Sequence, residues 1–343
     1  MLRRLTSTVL PTTGTTYGSF QLKFRVVSKI LLIRIVFMKA CFNVLALIII
    51  LSIGNSGFGQ ENMLKGTVID QQSKQPIAYS TIEIKTQRTG TYTDSTGNFS
   101  IKIEDSSDTL EFNSLGYEMR RYPAGDFIDS IIIIELKPHI FELQEVVIVP
   151  KKVKSIRLGT IARKPWRFQV ANIFGGQYGT YIENEVQKTG HVRAVSFYIA
   201  EVGFPDAPFR IRIYAKDQEN QCPGKDLLNE SVIVSNPNGE GWFTVDISDY
   251  GIEFPMEGMY VMMEWVYSGD QYYYTFDHEM KTKEGKSEIR TYHVYGLSLG
   301  NVKKQPDEGF WAKGLGDKWN RMNSYYKGYV DVMINADIEF QIE

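Results

Sequence analysis

Phe209-Arg210-Ile211-Arg212-Ile213-Tyr214-Ala215-Lys216 alternates apolar and polar side chains almost residue by residue. A strand sends successive side chains to opposite faces, so Phe209, Ile211 and Ile213 share one face while Arg210, Arg212 and Lys216 share the other. The same period of two recurs in both directions: Val195, Phe197 and Ile199 upstream, then Phe243, Val245 and Ile247, then Val261, Met263 and Trp265. Ile338, Phe340 and Ile342 carry it to the carboxyl end. Such strands bury one face against a second sheet. About eight runs, broken by Gly, Pro and Asn as in Ser235–Gly241, predict a jelly-roll-like β-sandwich over residues 166–343. No helix of any length is expected there.

The composition agrees with an all-β chain. Of 343 residues, 43% are hydrophobic and 23% charged, too apolar and too evenly charged for disorder, and the 20 Tyr, 19 Phe and 5 Trp favour strands. Charge is unevenly placed. Residues 1–60 hold seven basic side chains, Arg3, Arg4, Lys23, Arg25, Lys29, Arg34 and Lys39, and no acidic one. Taking those seven from 38 Lys and Arg leaves 31 against 40 Asp and Glu, a balance of −9. An acidic body has no basic field to draw in nucleic acid or an anionic membrane, so neither is an expected partner.

Met38-Lys39 followed by the apolar run Ala40–Gly54 and then Asn-Ser-Gly-Phe-Gly-Gln has the order of a secretory signal. The run suits a signal better than a membrane span of about 20 residues. Small residues Gly57 and Gly59 place cleavage before Gln60, giving a signal over 38–59 and an upstream extension over 1–37. An uncleaved signal anchor is the alternative and the sole membrane attachment foreseen. Cys41 departs with the signal and Cys222 is left alone, so no internal disulfide is expected and Cys222 reads as a small hydrophobe.

Residues 60–137 also show short period-two runs: Leu64–Ile69, Thr81–Thr86, Phe99–Ile103, Thr109–Phe112 and Ser130–Leu136. In Thr93–Phe99, Asp94 can accept backbone N–H groups and Gly97 can take positive φ, a structural turn with too few carboxylates for calcium. The segments Gly66-Thr67-Val68-Ile69-Asp70, Pro76-Ile77-Ala78-Tyr79-Ser80, Thr93-Asp94 with Gly97 and Phe99, and Phe112-Asn113-Ser114-Leu115-Gly116-Tyr117 resemble the carboxypeptidase regulatory-like domain. That resemblance implies a transthyretin-like seven-stranded β-sandwich at the front of a Gram-negative envelope protein, non-catalytic and carrying over no catalytic residues. Leu143–Val149 is similar to the stretch that follows this domain in TonB-dependent transporters of the starch-utilisation type. Their barrel of 22 strands needs about 220 residues, and 193 follow Pro150, so a linking strand is the expected role of this stretch.

Residues 138–165, with Pro138, Pro150, Pro165 and six Lys or Arg between Lys151 and Lys164, read as a solvated linker between the two sandwich domains. His139 and Glu142 have a zinc-ligand spacing, but a site needs a third ligand, so no metal is expected. No phosphate loop supports a nucleotide, and no other cofactor is indicated.

The candidate ligand-binding residues are aromatic. Tyr272, Tyr274 and Phe276 share one strand face, and Trp311 and Trp319 lie in the Gly-rich stretch Leu297–Asn323, read as a long loop. Such rings can stack on sugars while phenol and indole groups bond hydroxyls; they can equally be cross-strand packing. The expected function is an exported, non-catalytic binding or scaffold protein of the envelope, in the periplasm, at the outer membrane or outside the cell, with a glycan or another envelope protein as partner. Alternatives are a hydrolase of cell-surface polymer using Asp277 and Glu279, and a structural subunit joined through exposed strand edges.

Overall fold

The computed structural model describes residues 39, 63–127, 131–139, 152–171, 175–267, 270–281, 285–303, 310–322 and 330–342. The expected signal (apart from Lys39), the extension 1–37, Glu142 and the stretch Leu143–Val149 lie outside the described residues.

Seven short strands open the fold: β1 (Met63–Asp70), β2 (Thr81–Ile84), β3 (Thr89–Tyr92), β4 (Asn98–Lys102), β5 (Thr109–Asn113), β6 (Arg120–Pro123) and β7 (Ile131–Leu136). They form two sheets, ordered β4-β1-β7 and β3-β2-β5-β6. The inward alternation of β1 and β4 buries Leu64, Val68, Phe99 and Ile101 against Ile82, Ile84, Leu110 and Phe112 of the facing sheet. Gly66 is required here, because a Cβ would stand 2.5 Å from the Ile132 carbonyl oxygen of the neighbouring strand. Strands β3 and β6 carry almost no apolar alternation; Tyr92 is the one fully buried residue in β3. They are held by pairing to β2 and β5, which periodicity cannot reveal. The Asp94 turn forms as expected: its Oδ1 accepts the N–H groups of Thr96 at 2.8 Å and Asn98 at 3.0 Å, and Gly97 has φ +77°.

The remaining strands are β8 (Val153–Gly159), β9 (Arg167–Ala171), β10 (Gln177–Ile182), β11 (Gly190–Gly203), β12 (Phe209–Lys216), β13 (Pro223–Asp226), β14 (Val232–Val234) and β15 (Gly241–Asp246). After them come β16 (Glu253–Phe254), β17 (Met259–Trp265), β18 (Tyr273–Lys281), β19 (Ser287–Lys303), β20 (Trp311–Lys313), β21 (Asn320–Arg321), β22 (Val330–Val332) and β23 (Ile334–Gln341). One sheet runs β13-β12-β17-β10-β20-β21, with β14 also on β12. The other runs β18-β19-β11-β23-β8, with β15 and β16 on β11 and with β9 and β22 on β19. Phe197 of β11 meets Phe209 of β12 edge to face at 5.2 Å, joining the two sheets through one apolar core. Trp265 enters that core with its indole N–H donated to the Leu297 carbonyl at 2.8 Å.

Three local readings change. Residues 153–159, expected inside the solvated linker, form β8, which pairs with β23 and is pinned by Arg157 donating twice to Asp337 at 2.7 Å. The charges misled because β8 is an edge strand with an outward face that can be polar at no cost. The stretch Leu297–Asn323, expected as a loop, begins as the last residues of β19 and contains β20 and β21. Ile342, grouped with the inward residues, is 46% exposed beyond the end of β23. Residues Asn62–Glu343 group as one compact unit, within which the two sandwiches keep separate hydrophobic cores.

Replacing Phe197 by Ala removes a ring that spans both sheets, and we expect a loss of about 3–5 kcal/mol in urea unfolding. A loss below about 1 kcal/mol would mean that the sheets do not meet through this ring.

Candidate functional site

The face of β12 opposite Phe209, Ile211 and Ile213 is not solvated. Register sets its residues in rows across four strands. Arg210 lies beside Glu264 of β17, which lies beside Gln177 of β10 and then Lys313 of β20. The next row is Arg212, Met262, Gly179 and Trp311, and the third is Tyr214, Tyr260 and Tyr181. Gly179 has a packing reason: a Cβ there would come within 2.2 Å of the Met262 sulfur.

A buried charge network is centred on the first row and draws in Arg212 of the second and Tyr214 of the third. Arg210 Nη1 stands 3.1 Å from Glu264 Oε1 and Arg212 Nε 3.1 Å from Glu264 Oε2, with side chains 3%, 11% and 0% exposed respectively. Arg212 Nε also lies 3.3 Å from Asp226 Oδ2 and donates to the Tyr214 hydroxyl at 3.0 Å. That hydroxyl donates to Gln177 at 2.8 Å. The first sandwich supplies the lid: the Tyr92 hydroxyl donates to Glu264, and Arg210 Nη2 donates to the Tyr79 carbonyl at 2.6 Å. Arg210 and Arg212 thus face Glu264 and Asp226, with Lys313 at the far end of the first row.

Burial alone would push the Glu264 carboxyl up, but the Arg210 and Arg212 guanidinium groups outweigh it and hold it below its ordinary value. Asp226 goes the other way, because burial exceeds the pull of Arg212. Burial likewise lowers Lys313.

The lower rows form an aromatic cluster. Tyr214, Tyr260 and Met262 are buried, and half-buried Tyr181, Trp311 and Trp319 pack over them. Trp311 meets Tyr260 edge-on at 5.9 Å, and Trp319 meets Tyr214 edge-on at 5.5 Å. Lys216 Nζ lies 5.0 Å from the centre of the Tyr181 ring and Lys313 Nζ 5.7 Å from that of Trp319. Two of the sequence-derived candidates, Trp311 and Trp319, therefore fall in one cluster.

The other three belong to the hairpin of β18 and β19. Tyr272, in a 3₁₀ turn just before β18, and Tyr274 both meet Phe204 edge-on. Tyr274 stacks on Phe276 at 6.5 Å, and Phe276 stacks on Tyr292 at 5.3 Å. Burial pushes the Tyr274 phenol up to about 12. On the opposite, exposed face Asp277 accepts from Thr291 at 2.7 Å and Glu279 accepts from Ser287. His278 points away from both, edge-on to Tyr292.

Cys222 is half-buried, and burial pushes its thiol above the ordinary value. Among the described residues no three His, Cys, Asp or Glu side chains gather as a metal site would need. Arg210, Arg212, Tyr214, Tyr260 and Glu264 escaped the sequence reading as site residues. One signal was present: Glu264 interrupts the otherwise apolar run Met259–Trp265, and a carboxylate there demands a buried partner.

The CarboxypepD_reg-like domain family matches residues 64–148, the segment on which the motif resemblance rests. A TonB-dependent receptor P3 from Formosa agariphila is 25% identical over 166 residues, covering 48% of this chain. The chain spans only 16% of that protein's length. A solved structure of a candidate carbohydrate binding protein from Bacteroides uniformis aligns over 70% of this chain and 99% of its own, at 10% identity and a TM-score of 0.22. So loose a superposition carries no argument. Among the described residues no helix is long and apolar enough to cross a membrane.

Removing the Glu264 carboxylate by Glu264→Ala takes from buried Arg210 its carboxylate partner and leaves Arg212 with Asp226 alone, with an expected cost of about 3–5 kcal/mol. The Glu264→Gln variant isolates the charge. Because the folded carboxyl titrates below its ordinary value of 4.5, the wild-type advantage over Gln should be complete above that pH and decline as the pH falls below it. Parallel urea titrations of the two proteins from pH 7 to pH 3 check this; an advantage that grows on acidification would contradict the network.

Proposed function

We propose that this chain is an exported, non-catalytic binding protein of the cell envelope that holds a glycan against Trp311, Trp319 and Tyr181 on the outer face of its seven-stranded sheet. The observation carrying this reading is the support beneath the rings. Tyr260 fixes Trp311 and Tyr214 fixes Trp319, and both tyrosines are buried. Rings already locked in place lose little entropy when a sugar stacks on them, so the stacking energy is kept as affinity. Lys216 brings an ammonium donor beside the Tyr181 ring, suited to hydroxyl or acidic groups of a polysaccharide.

The envelope assignment is supported by the signal-like segment 38–59, the regulatory-like domain at 64–148 and the likeness to a TonB-dependent receptor. Export follows from that reading; transport does not, since the shared stretch is a small part of that receptor. In this reading the first sandwich is the scaffold: it caps Glu264 and Arg210, and so stiffens the sheet that carries the aromatic cluster. The hydrolase alternative has less support. Asp277 and Glu279 sit on an exposed hairpin face and each accepts a hydrogen bond from a hydroxyl group of the neighbouring strand.

A glycan array followed by calorimetric titration tests this. We expect affinity to fall about tenfold in Trp319→Ala and in Trp311→Ala, with both variants still folded by circular dichroism. Failure of the folded wild-type chain to bind any glycan on the array would remove the reading. Polysaccharide turnover that Asp277→Asn abolishes would put the hydrolase in its place.

A further inference from the structure

Where the two sandwiches meet, a cleft of about 340 Å³ opens beside the charge network. Tyr92 and Phe99 are its buried apolar lining, Asp94, Asn98 and Ser100 its polar lining, and all five come from the first sandwich. Tyr267 of the second sandwich completes it, its ring stacked on Tyr295 at 5.8 Å and 29°. The volume lies at the lower end of the roughly 300–1,000 Å³ typical of small-molecule sites.

The lining narrows the ligand class. Among the described residues its lining holds no Lys or Arg to neutralise a phosphate or an acidic sugar. It does hold a carboxylate with spare capacity. Asp94 Oδ1 accepts from the Thr96 N–H at 2.8 Å, the Thr96 hydroxyl at 2.7 Å and the Asn98 N–H at 3.0 Å, and Oδ2 takes no part in these bonds. Burial pushes this carboxyl up, but the bonds from Thr96 and Asn98 outweigh it, so it is ionised at neutral pH. A carboxylate oxygen, an amide, a hydroxyl and a supported aromatic ring are the partners a polyol needs: acceptors and donors for hydroxyls, and a π-face for the C–H side of a sugar ring.

We infer that this cleft is a second binding site, separate from the Trp311–Trp319 cluster, for a small neutral saccharide that stacks on Tyr267 and donates hydroxyl hydrogen bonds to Asp94. Because Asp94 and Tyr267 belong to different sandwiches, the site is complete only while Tyr92 and Arg210 hold the two together. Occupancy therefore favours the docked arrangement.

Saturation-transfer NMR on the full chain tests this, with glucose, galactose, mannose, maltose and cellobiose as probes and tetramethylammonium as a cationic control. At least one sugar should receive transfer at its ring C–H protons. Its affinity should drop about tenfold or more in Tyr267→Ala and vanish in Ser100→Trp, which fills the cleft from an exposed strand position, while Tyr273→Ala, an exposed ring on the hairpin outside both sites, leaves it unchanged. The inference is overturned if none of the sugars binds, if only the ammonium binds, or if sugar binding survives both cleft variants. Binding lost in Trp311→Ala but kept in both cleft variants would remove the cleft while leaving the outer-face reading intact; binding lost in the cleft variants and kept in Trp311→Ala is the expected result, and the outer-face reading then stands or falls on the glycan array alone.

Discussion

Glu264 has no exposed surface and two guanidinium groups within 3.1 Å, and the arrangement of this protein follows from keeping that carboxylate compensated. An ionised side chain in a sheet interior is tolerated only when charges and donors surround it. The second sandwich supplies Arg210, Arg212 and Gln177; the first supplies Tyr92 and, for Arg210, the Tyr79 carbonyl. Neither sandwich completes the set. Undocking would expose the pair to water on one side and leave the Tyr92 hydroxyl, buried against Glu264, to find another acceptor. The polar network thus specifies how the halves meet, a task for which non-directional apolar contact is poorly suited.

The same sheet face changes character over three successive rows, from Arg210 to Tyr214. Its first row is charged and sealed, its second is filled by Met262 lying over Gly179, and its third is tyrosine. Along that gradient a sealed polar face gives way to an aromatic one, to which Trp319 is added from the turn between β20 and β21. Tyr181, Tyr214 and Tyr260 inherit rigidity from the sealed end, because they stand on the same three strands, β10, β12 and β17. Partly buried aromatics backed by buried aromatics differ from the exposed Tyr273 on the hairpin, whose ring stacks on His293.

Much of the architecture was legible as alternation. Phe197, Phe209, Ile211, Ile213, Val261 and Met263 were assignable to a core because a period of two with apolar side chains on one face has few other outcomes. Strands without that contrast were not: β3 and β6 owe their form to neighbours, and β8 presents charges because it is an edge. Trp311 and Trp319 were selected for their side-chain type alone, and that chemistry is visible in any sequence. Their company, Tyr181, Tyr214 and Tyr260, was hidden, since register between β10, β12 and β17 brings together residues up to 79 positions apart.

Local side-chain order by itself determined the strand class, the inward faces and the turn at Asp94, because each depends on residues within a few positions of one another. Only the tertiary structure decided that Arg210 and Arg212 face protein instead of water. Their fate depends on a second layer from another part of the chain, and an alternating strand reads the same whether its polar face is solvated or covered by a partner carrying the matching charge.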